Sequence, residues 1–150
     1  MGGLLGLHLG ANHPVVKGLM IFAPAIRIKR LWISKIFWPF KKYIYKANTD
    51  DSMLWQGYNV VPIKAAANLL KFQTIVRKEL IDIMIPTLIF QGKLDKTVVP
   101  MGALQIFEKI KSKPKRFIWL EESSHCILLD KQLTMVEQIC LEFVETQLRK

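Results

Sequence analysis

Apolar residues recur along the chain in short uninterrupted runs and in longer stretches with helical spacing. The short runs lie at Lys17–Pro24, Ile83–Gly92 and Arg116–Leu120, and none of them alternates strictly with polar residues. Such runs are typical of strands that are covered on both faces in a parallel sheet. We therefore predict three buried strands, one near the start of the chain and two after residue 80.

Four stretches carry the spacing of amphipathic helices. The first, Met1–Gly10, is rich in glycine, which weakens a helix by up to about 1 kcal/mol per residue, so we expect this helix to pack closely against a sheet. The second follows Pro62, the third is Met101–Lys113, and the fourth runs from Asp130, as N-cap, to about Leu148. The residues expected to face inward are, in chain order, Ile63, Ala66, Leu69, Leu70, Ile75, Leu104, Phe107, Ile110, Leu133, Val136, Ile139, Cys140 and Phe143.

The order of these elements predicts an α/β fold with parallel strands and flanking helices. The strand–helix alternation is interrupted between residues 27 and 80, where aromatic and basic residues mix. We interpret that segment as an inserted helical cap. The expected organisation is a single domain with three parts: a helix and strand at 1–26, the cap at 27–80, and two strands with their helices at 81–150.

Composition narrows the class of protein. The 150 residues are 51% apolar with a mean hydropathy of +0.20, yet no apolar run approaches the roughly 20 residues that cross a membrane. Met1–Leu9 carries no basic residue, so the start does not read as a signal peptide, and we expect a cytoplasmic location. Cys126 and Cys140 predict reduced thiols, and no Cys/His spacing indicates a zinc site. No metal or organic cofactor is expected.

The positive charge is concentrated near the start of the chain. Residues 1–49 contain eight lysines and arginines and no acidic residue, and most of this excess lies in 27–46, among large apolar side chains. Three interpretations compete: a cap with solvated lysines, a lid that contacts an anionic membrane surface, and a nucleic-acid interface. The last is disfavoured because no recognised nucleic-acid motif accompanies the charge.

Two titratable side chains follow two of the predicted strands. Asp95 comes shortly after the strand that ends at Gly92, and His125 follows the strand that ends at Leu120. Because parallel sheets bind ligands beyond the carboxyl ends of their strands, these side chains are expected to meet. Taken singly, an aspartate in a turn is usually a turn former and a loop histidine usually a surface residue. Their joint placement favours an acid that orients a histidine base.

The pattern Gly92-x-x-Asp95-x-x-Val98-x-Pro100, followed by His125 with Leu129-Asp130 behind it, resembles the acid and histidine blocks of α/β-hydrolases, most closely those of carboxylesterases and monoacylglycerol lipases. In that fold the order is nucleophile, acid, histidine, with a serine on a Gly-x-Ser-x-Gly elbow. The elbow commonly continues Met-Gly-Gly, and this chain begins Met1-Gly2-Gly3. The resemblance therefore implies that Met1 aligns with the residue after the serine, whose backbone N–H helps to form the oxyanion hole.

No residue of the chain matches that elbow. None of the serines is flanked by glycines as in that elbow. Cys126 is next to His125 in sequence, and no other residue is apparent as the base that would activate its thiol. Ser124 stands where these enzymes usually have glycine before the histidine, which puts the approach of the substrate in doubt but not the role of the histidine. The serines concerned are Ser34, Ser52, Ser112, Ser123 and Ser124.

The resemblance implies a serine carboxylic ester hydrolase, of which this chain supplies the acid and the histidine, so that it is expected to be inactive as given. Within that interpretation, the abundant apolar side chains of the cap favour medium or long acyl chains over small polar esters. The alternative is a non-catalytic hydrolase-like module that binds a membrane surface, through residues 27–46, or a partner protein. The missing neighbour of the first strand predicts an exposed sheet edge and self-association.

Overall fold

The computed structural model of the chain describes residues 1–45 and 60–147. Most of its helices and strands lie where the apolar runs predicted them. The elements are α1 (Gly2–Asn12), β1 (Leu19–Phe22), α2 (Ser34–Phe37), β2 (Tyr43–Tyr45), β3 (Val60–Pro62), α3 (Ile63–Glu79), β4 (Thr87–Gly92), α4 (Met101–Lys109), β5 (Lys115–Leu120) and α5 (Leu133–Gln147).

The main sheet has three strands in the order β1-β4-β5. Leu19 lies opposite Thr87 in one parallel pair, and Thr87 lies opposite Lys115 in the other. Because all three strands run in the same direction, their carboxyl ends share one edge of the sheet. This confirms the predicted α/β fold and places the loops after β4 and β5 side by side.

Helices cover the two faces of the sheet in separate layers. On one face α1, α4 and the last turns of α3 enclose a core of Leu4, Leu7, Leu19, Ile21, Ile26, Val76, Leu80, Ile83, Ile89, Ala103, Ile106 and Ile110. On the other face α5 packs on β4 and β5 around Ala23, Leu88, Phe90, Leu120, Ile127, Val136 and Phe143.

The glycines of α1 allow the close packing that the sequence predicted. A Cβ added at Gly3 would lie 3.0 Å from Ile21 Cγ2 and 3.3 Å from the Cα of Pro24. A Cβ at Gly10 would meet the side chain of Leu19 at 2.6 Å. The contact of Gly3 with Pro24, just beyond β1, also shows that α1 begins at the carboxyl edge of the sheet.

The expectation that β1 is covered on both faces is wrong. Leu19 and Ile21 are buried, but Met20 is 39% exposed on the face that α5 covers over the other strands.

Three details of the helices differ from the predictions. Ile75 is 49% exposed, because Gln73 and Val76, and not Ile75, lie on the buried side of α3. In α4, which ends at Lys109, Ala103 and Ile106 are fully buried, whereas Leu104 and Phe107, which were expected to face inward, are only partly buried.

Asp130 is not an N-cap. The helix α5 begins three residues later, at Leu133, and the Asp130 carboxylate binds the loop before it. The expected helix end near Leu148 lies outside the described residues.

In its described parts, 27–45 and 60–80, the segment expected to form a cap contributes no strand to the main sheet. Within this segment, β2 and β3 pair with each other in an antiparallel ribbon, and α2 packs on α3. Val76 and Leu80, at the end of the same segment, belong to the main core. In the described ranges, no helix is long and apolar enough to cross a membrane.

Candidate active site

Asp95 lies in the turn after β4, and its two carboxylate oxygens have different partners. Oδ1 accepts hydrogen bonds from the backbone N–H groups of Thr97 at 2.8 Å and Val98 at 3.0 Å. These bonds are those of an ordinary turn-forming aspartate. They also fix the carboxylate, whose side chain is 0% exposed, so that Oδ2 points away from its own turn.

His125 forms a hydrogen bond with that second oxygen, Oδ2 of Asp95. Its Nδ1–H donates to Asp95 Oδ2 over 2.9 Å, although 30 residues separate the two in the chain. The imidazole side chain is 30% exposed, in contrast to the buried acid. No hydrogen-bond partner for Nε2 occurs among the residues that the structure describes. This tautomer therefore presents an accepting nitrogen at the carboxyl edge of the sheet.

The pKa of Asp95 is lowered from its ordinary value of 3.8, although burial by itself raises it. The hydrogen bonds from His125, the Val98 N–H and Gln91, together with attraction by the charge of His125, outweigh the burial. The acid is thus held as a carboxylate, the form that stabilises a protonated imidazole.

Gln91 is a third member of this group that the sequence interpretation missed. It is fully buried on β4, and its Nε2–H donates to Asp95 Oδ2 at 3.1 Å and to the Gly92 carbonyl at 3.1 Å. Its Oε1 is buried without a partner in the described part of the chain. The signal was an amide side chain near the end of the largely apolar run Ile83–Gly92, directly before the turn that carries the acid.

Gly92 lets the histidine loop approach the end of β4. A Cβ at this position would overlap the backbone of Ser123 and Ser124. The loops are also joined by a hydrogen bond from the Leu94 N–H to the Ser123 carbonyl at 3.1 Å. The spacing between Asp95 and His125 therefore depends on an absent side chain as well as on the pair itself.

Asp130 holds the loop from the other end. Its Oδ2 accepts hydrogen bonds from the Ser124 N–H at 2.6 Å and the Ser124 hydroxyl at 2.9 Å. The backbone hydrogen bond from Ser124 is the largest of the effects that lower the pKa of Asp130. The Ser124 hydroxyl thus gives the loop one further hydrogen bond next to His125, which a glycine at this position could not make.

None of the candidate nucleophiles in the described ranges is bonded to His125. The hydroxyl groups of Ser34, Ser112, Ser123 and Ser124 are bound respectively to Leu31, to Ile83 and Thr87, to Gln132 and to Asp130, and Ser52 lies outside the described residues.

Cys126 and Cys140 are free thiols. Burial raises the pKa of the Cys126 thiol above 9.0, and the charges of Asp95 and Asp130 raise it further. A thiol that stays protonated at neutral pH is a poor nucleophile.

Met1 is exposed at the start of α1, and its carbonyl accepts hydrogen bonds from the N–H groups of Leu4 and Leu5. It makes no contact with the Asp95–His125 pair among the hydrogen bonds of the described residues. It does stand at the same edge of the sheet as that pair, because α1 begins beside Pro24.

Residues 1–132 match the model of a hydrolase family described as serine aminopeptidase, S33. The chain belongs to this family of α/β hydrolases. The match includes both Asp95 and His125 and ends shortly before α5.

Two relatives are named as an esterase and a lipase. The chain is 26% identical over 150 residues to a carboxylesterase of Bacillus subtilis (strain 168), which covers 97% of this chain and 61% of the relative. It is 27% identical over 147 residues to a thermostable monoacylglycerol lipase of Bacillus sp. (strain H-257), covering 95% and 59%. The chain therefore spans about three fifths of the length of these relatives.

Solved structures show the same fold. A structure described for the metagenome-derived lipolytic enzymes LipS and LipT superposes with a TM-score of 0.88 at 24% identity, over 98% of this chain and 62% of that one. The monoacylglycerol lipase of Paleococcus ferrophilus gives a TM-score of 0.76 at 18% identity, over 95% and 64%.

Proposed function

We propose that the chain is the acid- and histidine-bearing part of a carboxylic ester hydrolase. The observation that carries the proposal is the hydrogen bond between buried Asp95 and partly exposed His125 at the carboxyl edge of a parallel sheet. Asp95 fixes the tautomer of His125 and stabilises its protonated form, and His125 is the base. Gln91 positions the acid. The nucleophilic serine of the proposal lies outside these 150 residues.

The proposed reaction has two halves. The Nε2 of His125 takes the proton of the serine hydroxyl while the serine oxygen bonds to the ester carbonyl carbon. The protonated His125 then gives that proton to the leaving alcohol oxygen as its bond to carbon breaks, which leaves an acyl-serine. Water then repeats the sequence: His125 takes a proton from water while the water oxygen bonds to the acyl carbon. The protonated His125 returns that proton to the serine oxygen as its bond to the acyl carbon breaks, which releases the carboxylic acid and restores the serine hydroxyl.

The negative charge that develops on the carbonyl oxygen needs donors at the same edge. In the proposal, one donor is the backbone N–H of Met1, as part of a peptide bond to the serine before it. The position of α1 supports this, since the helix begins beside Pro24 at the carboxyl edge. Without that peptide bond, both the nucleophile and this donor are missing, so the chain alone should have no activity.

The substrate class follows from the relatives and from the inserted segment. Relatives named as a carboxylesterase and a monoacylglycerol lipase support a carboxylic ester as the substrate. The abundant apolar side chains of the inserted segment favour a medium or long acyl chain. We further propose that residues 27–80 form the cap over the acyl site. The segment is anchored in the main core by Val76 of α3 and by Leu80 directly after it.

A second proposal concerns the surface of the cap. Trp32 is 59% exposed and Phe40 is 84% exposed, within the stretch 27–46 where basic residues are concentrated. Exposed aromatic residues beside lysines fit weak contact with a membrane surface. This contact is compatible with the lipase proposal and also with the rival one, in which the chain is a non-catalytic binding module.

The free thiols of Cys126 and Cys140 fit the cytoplasmic location expected from the sequence.

The test of the hydrolase proposal compares the 150-residue chain with the same chain extended by its upstream coding sequence. We expect no hydrolysis of p-nitrophenyl esters above buffer by the chain alone, and clear turnover by an extension that encodes a Gly-x-Ser segment. In the extended protein His125→Ala and Asp95→Asn should each lower kcat by about a thousandfold or more. The exposed His13→Ala and Asp82→Asn are the matched controls.

Two results would contradict the proposal. One is full activity of the His125→Ala variant in the extended protein. The other is a gene with no in-frame coding sequence before Met1, which would favour the non-catalytic module.

A further inference from the structure

The outward side of α3 carries a regular row of lysines. Lys64, Lys71 and Lys78 are each seven residues apart, so they lie on one side of the helix over about 21 Å. Lys35 of α2 faces the same row from the neighbouring helix, and all four side chains are exposed. We call these four residues the lysine row.

Two adjoining depressions lie along this row. One has a volume of about 270 Å³ and is lined by Lys35, Trp38, Lys64, Ala67, Asn68 and Lys71. The other, of about 260 Å³, is lined by Lys35, Lys71, Thr74, Ile75 and Lys78. Because Lys35 and Lys71 border both, the depressions form one continuous groove between α2 and α3.

The charge of the row is not neutralised by the parts of the chain that the structure describes. None of the four lysines takes part in an ion pair in those ranges. The ion pairs found there join carboxylates to other basic side chains. Glu79, at the end of the same helix, is bound to His8 at 2.8 Å. The groove therefore presents a positive field to solvent.

The groove also exposes apolar surface between its charges. Trp38 and Ile75, which line it, are each 49% exposed. A straight row of cations alternating with an indole ring and aliphatic groups suits a flat interface whose outer layer is anionic and whose inner layer is apolar.

We propose that the lysine row docks the protein on a bilayer that contains anionic phospholipid, with lipid phosphates among Lys35, Lys64 and Lys71 and with Trp38 in the headgroup layer. This inference deepens the membrane contact proposed for residues 27–46 and rests on it. It adds α3 to the contact surface and gives the surface a requirement for anionic lipid.

The test is flotation of the 150-residue chain with vesicles, which separates bound protein from aggregates because aggregates sink. Vesicles of phosphatidylcholine alone are compared with vesicles containing one quarter phosphatidylglycerol. Each lysine near an anionic surface strengthens binding by severalfold, so the triple variant Lys64→Glu/Lys71→Glu/Lys78→Glu should bind the anionic vesicles at least about 100-fold more weakly. Raising the salt should weaken the wild type in the same direction.

The matched control is Lys109→Glu/Lys111→Glu/Lys113→Glu, which makes the same change in net charge at exposed positions away from the groove. We expect it to lose far less binding than the α3 variant. The charge-preserving Lys64→Arg/Lys71→Arg/Lys78→Arg should bind like the wild type, which separates a loss of charge from a loss of folding.

The remaining outcomes distinguish this inference from the contact on which it rests. Equal binding to both kinds of vesicle, with no effect of the α3 variant, would overturn the role of the lysine row and leave the aromatic contact of residues 27–46 in place. Absence of binding to either vesicle would overturn both. Tight binding of an RNA oligonucleotide that the α3 variant abolishes, without vesicle binding, would assign the groove to nucleic acid instead.

Discussion

Asp95 serves the fold and the proposed chemistry with different oxygens. Oδ1 closes the turn after β4 by accepting two backbone N–H groups, and Oδ2 receives the Nδ1–H of His125 and the amide of Gln91. A turn-forming role and an orienting role are therefore not alternatives at this residue. The turn bonds to Oδ1 hold the carboxylate rigidly, and this fixes the direction in which Oδ2 faces His125.

These contacts predict how stability depends on pH. The pKa of Asp95 is lower in the folded chain than its ordinary value of 3.8, so the unfolded chain binds the proton first as pH falls. The contribution of Asp95 to stability is complete above that ordinary value and is lost as pH falls through the lower, folded value. Asp95→Asn should cost about 1 to 3 kcal/mol at pH 7, from the loss of charged hydrogen bonds.

Urea unfolding of both proteins from pH 7 to pH 2.5 measures this dependence. The difference between wild type and Asp95→Asn should shrink as pH falls below about 5, where the Asp95 carboxyl of the unfolded chain begins to take up its proton. Asp82→Asn, at an exposed position, is the control. A difference between wild type and Asp95→Asn that is the same at pH 3 as at pH 7 would contradict the assignment.

At the scale of elements, apolar patterning located the main strands and helices but not what covers them. The run Ile83–Gly92 contains β4, which is buried throughout, because a central strand of a parallel sheet is apolar on both faces. The run Lys17–Pro24 looks the same in sequence, yet β1 leaves Met20 partly exposed. A pattern records which side chains are apolar and not which neighbours are present to bury them.

The sequence predicted the part of the candidate site that depends only on where the strands end. Parallel strands bring their carboxyl ends together, which is why Asp95 and His125 could be paired from sequence. Gln91 and the contact of Gly92 with the histidine loop were missed, because both depend on how closely that loop approaches β4. Asp130 was misread as a helix cap, since a side chain that accepts hydrogen bonds from a loop has the same sequence signature.

A buried hydrogen bond from Gln73 ties α3 to the chain just beyond β1, and its contribution to stability can be tested. Gln73 is 1% exposed, and its Nε2–H donates to the carbonyl of Ala25, beyond β1, at 2.6 Å. Arg77, one turn later, donates to the carbonyl of Ile26. Gln73→Leu keeps the approximate size of the side chain but leaves the Ala25 carbonyl without this donor, so it should destabilise the chain by about 1 to 3 kcal/mol.

The matched control for this change is Gln138→Leu, which makes the same replacement at an exposed position on α5. We expect it to alter the free energy of unfolding in urea by less than about 0.5 kcal/mol. If Gln73→Leu were as stable as Gln138→Leu, the hydrogen bond to Ala25 would not be what ties α3 to the end of β1.

At the scale of the whole molecule, the main sheet has an open side at β1. Within the described ranges β1 pairs with β4 and with no other strand. The N–H groups of Leu19 and Ala23 donate to carbonyls on the β4 side, at Pro86 and Phe90, so the alternate residue Met20 directs its N–H to the open side. An unpaired edge next to exposed apolar surface favours pairing with another chain.

We therefore propose that the 150-residue chain associates with itself through β1, and that one charge at this edge weakens the association. Sedimentation velocity from about 1 to 100 μM should show the average mass of the wild type rising with concentration. Met20→Lys should shift that rise to at least about tenfold higher concentration, because association would bring like charges together and bury them. Leu141→Lys adds the same charge at a 64% exposed position on α5 and should leave the mass profile unchanged. A wild type that stays monomeric throughout, or a Leu141→Lys variant that dissociates as readily as Met20→Lys, would show that the β1 edge is not the contact.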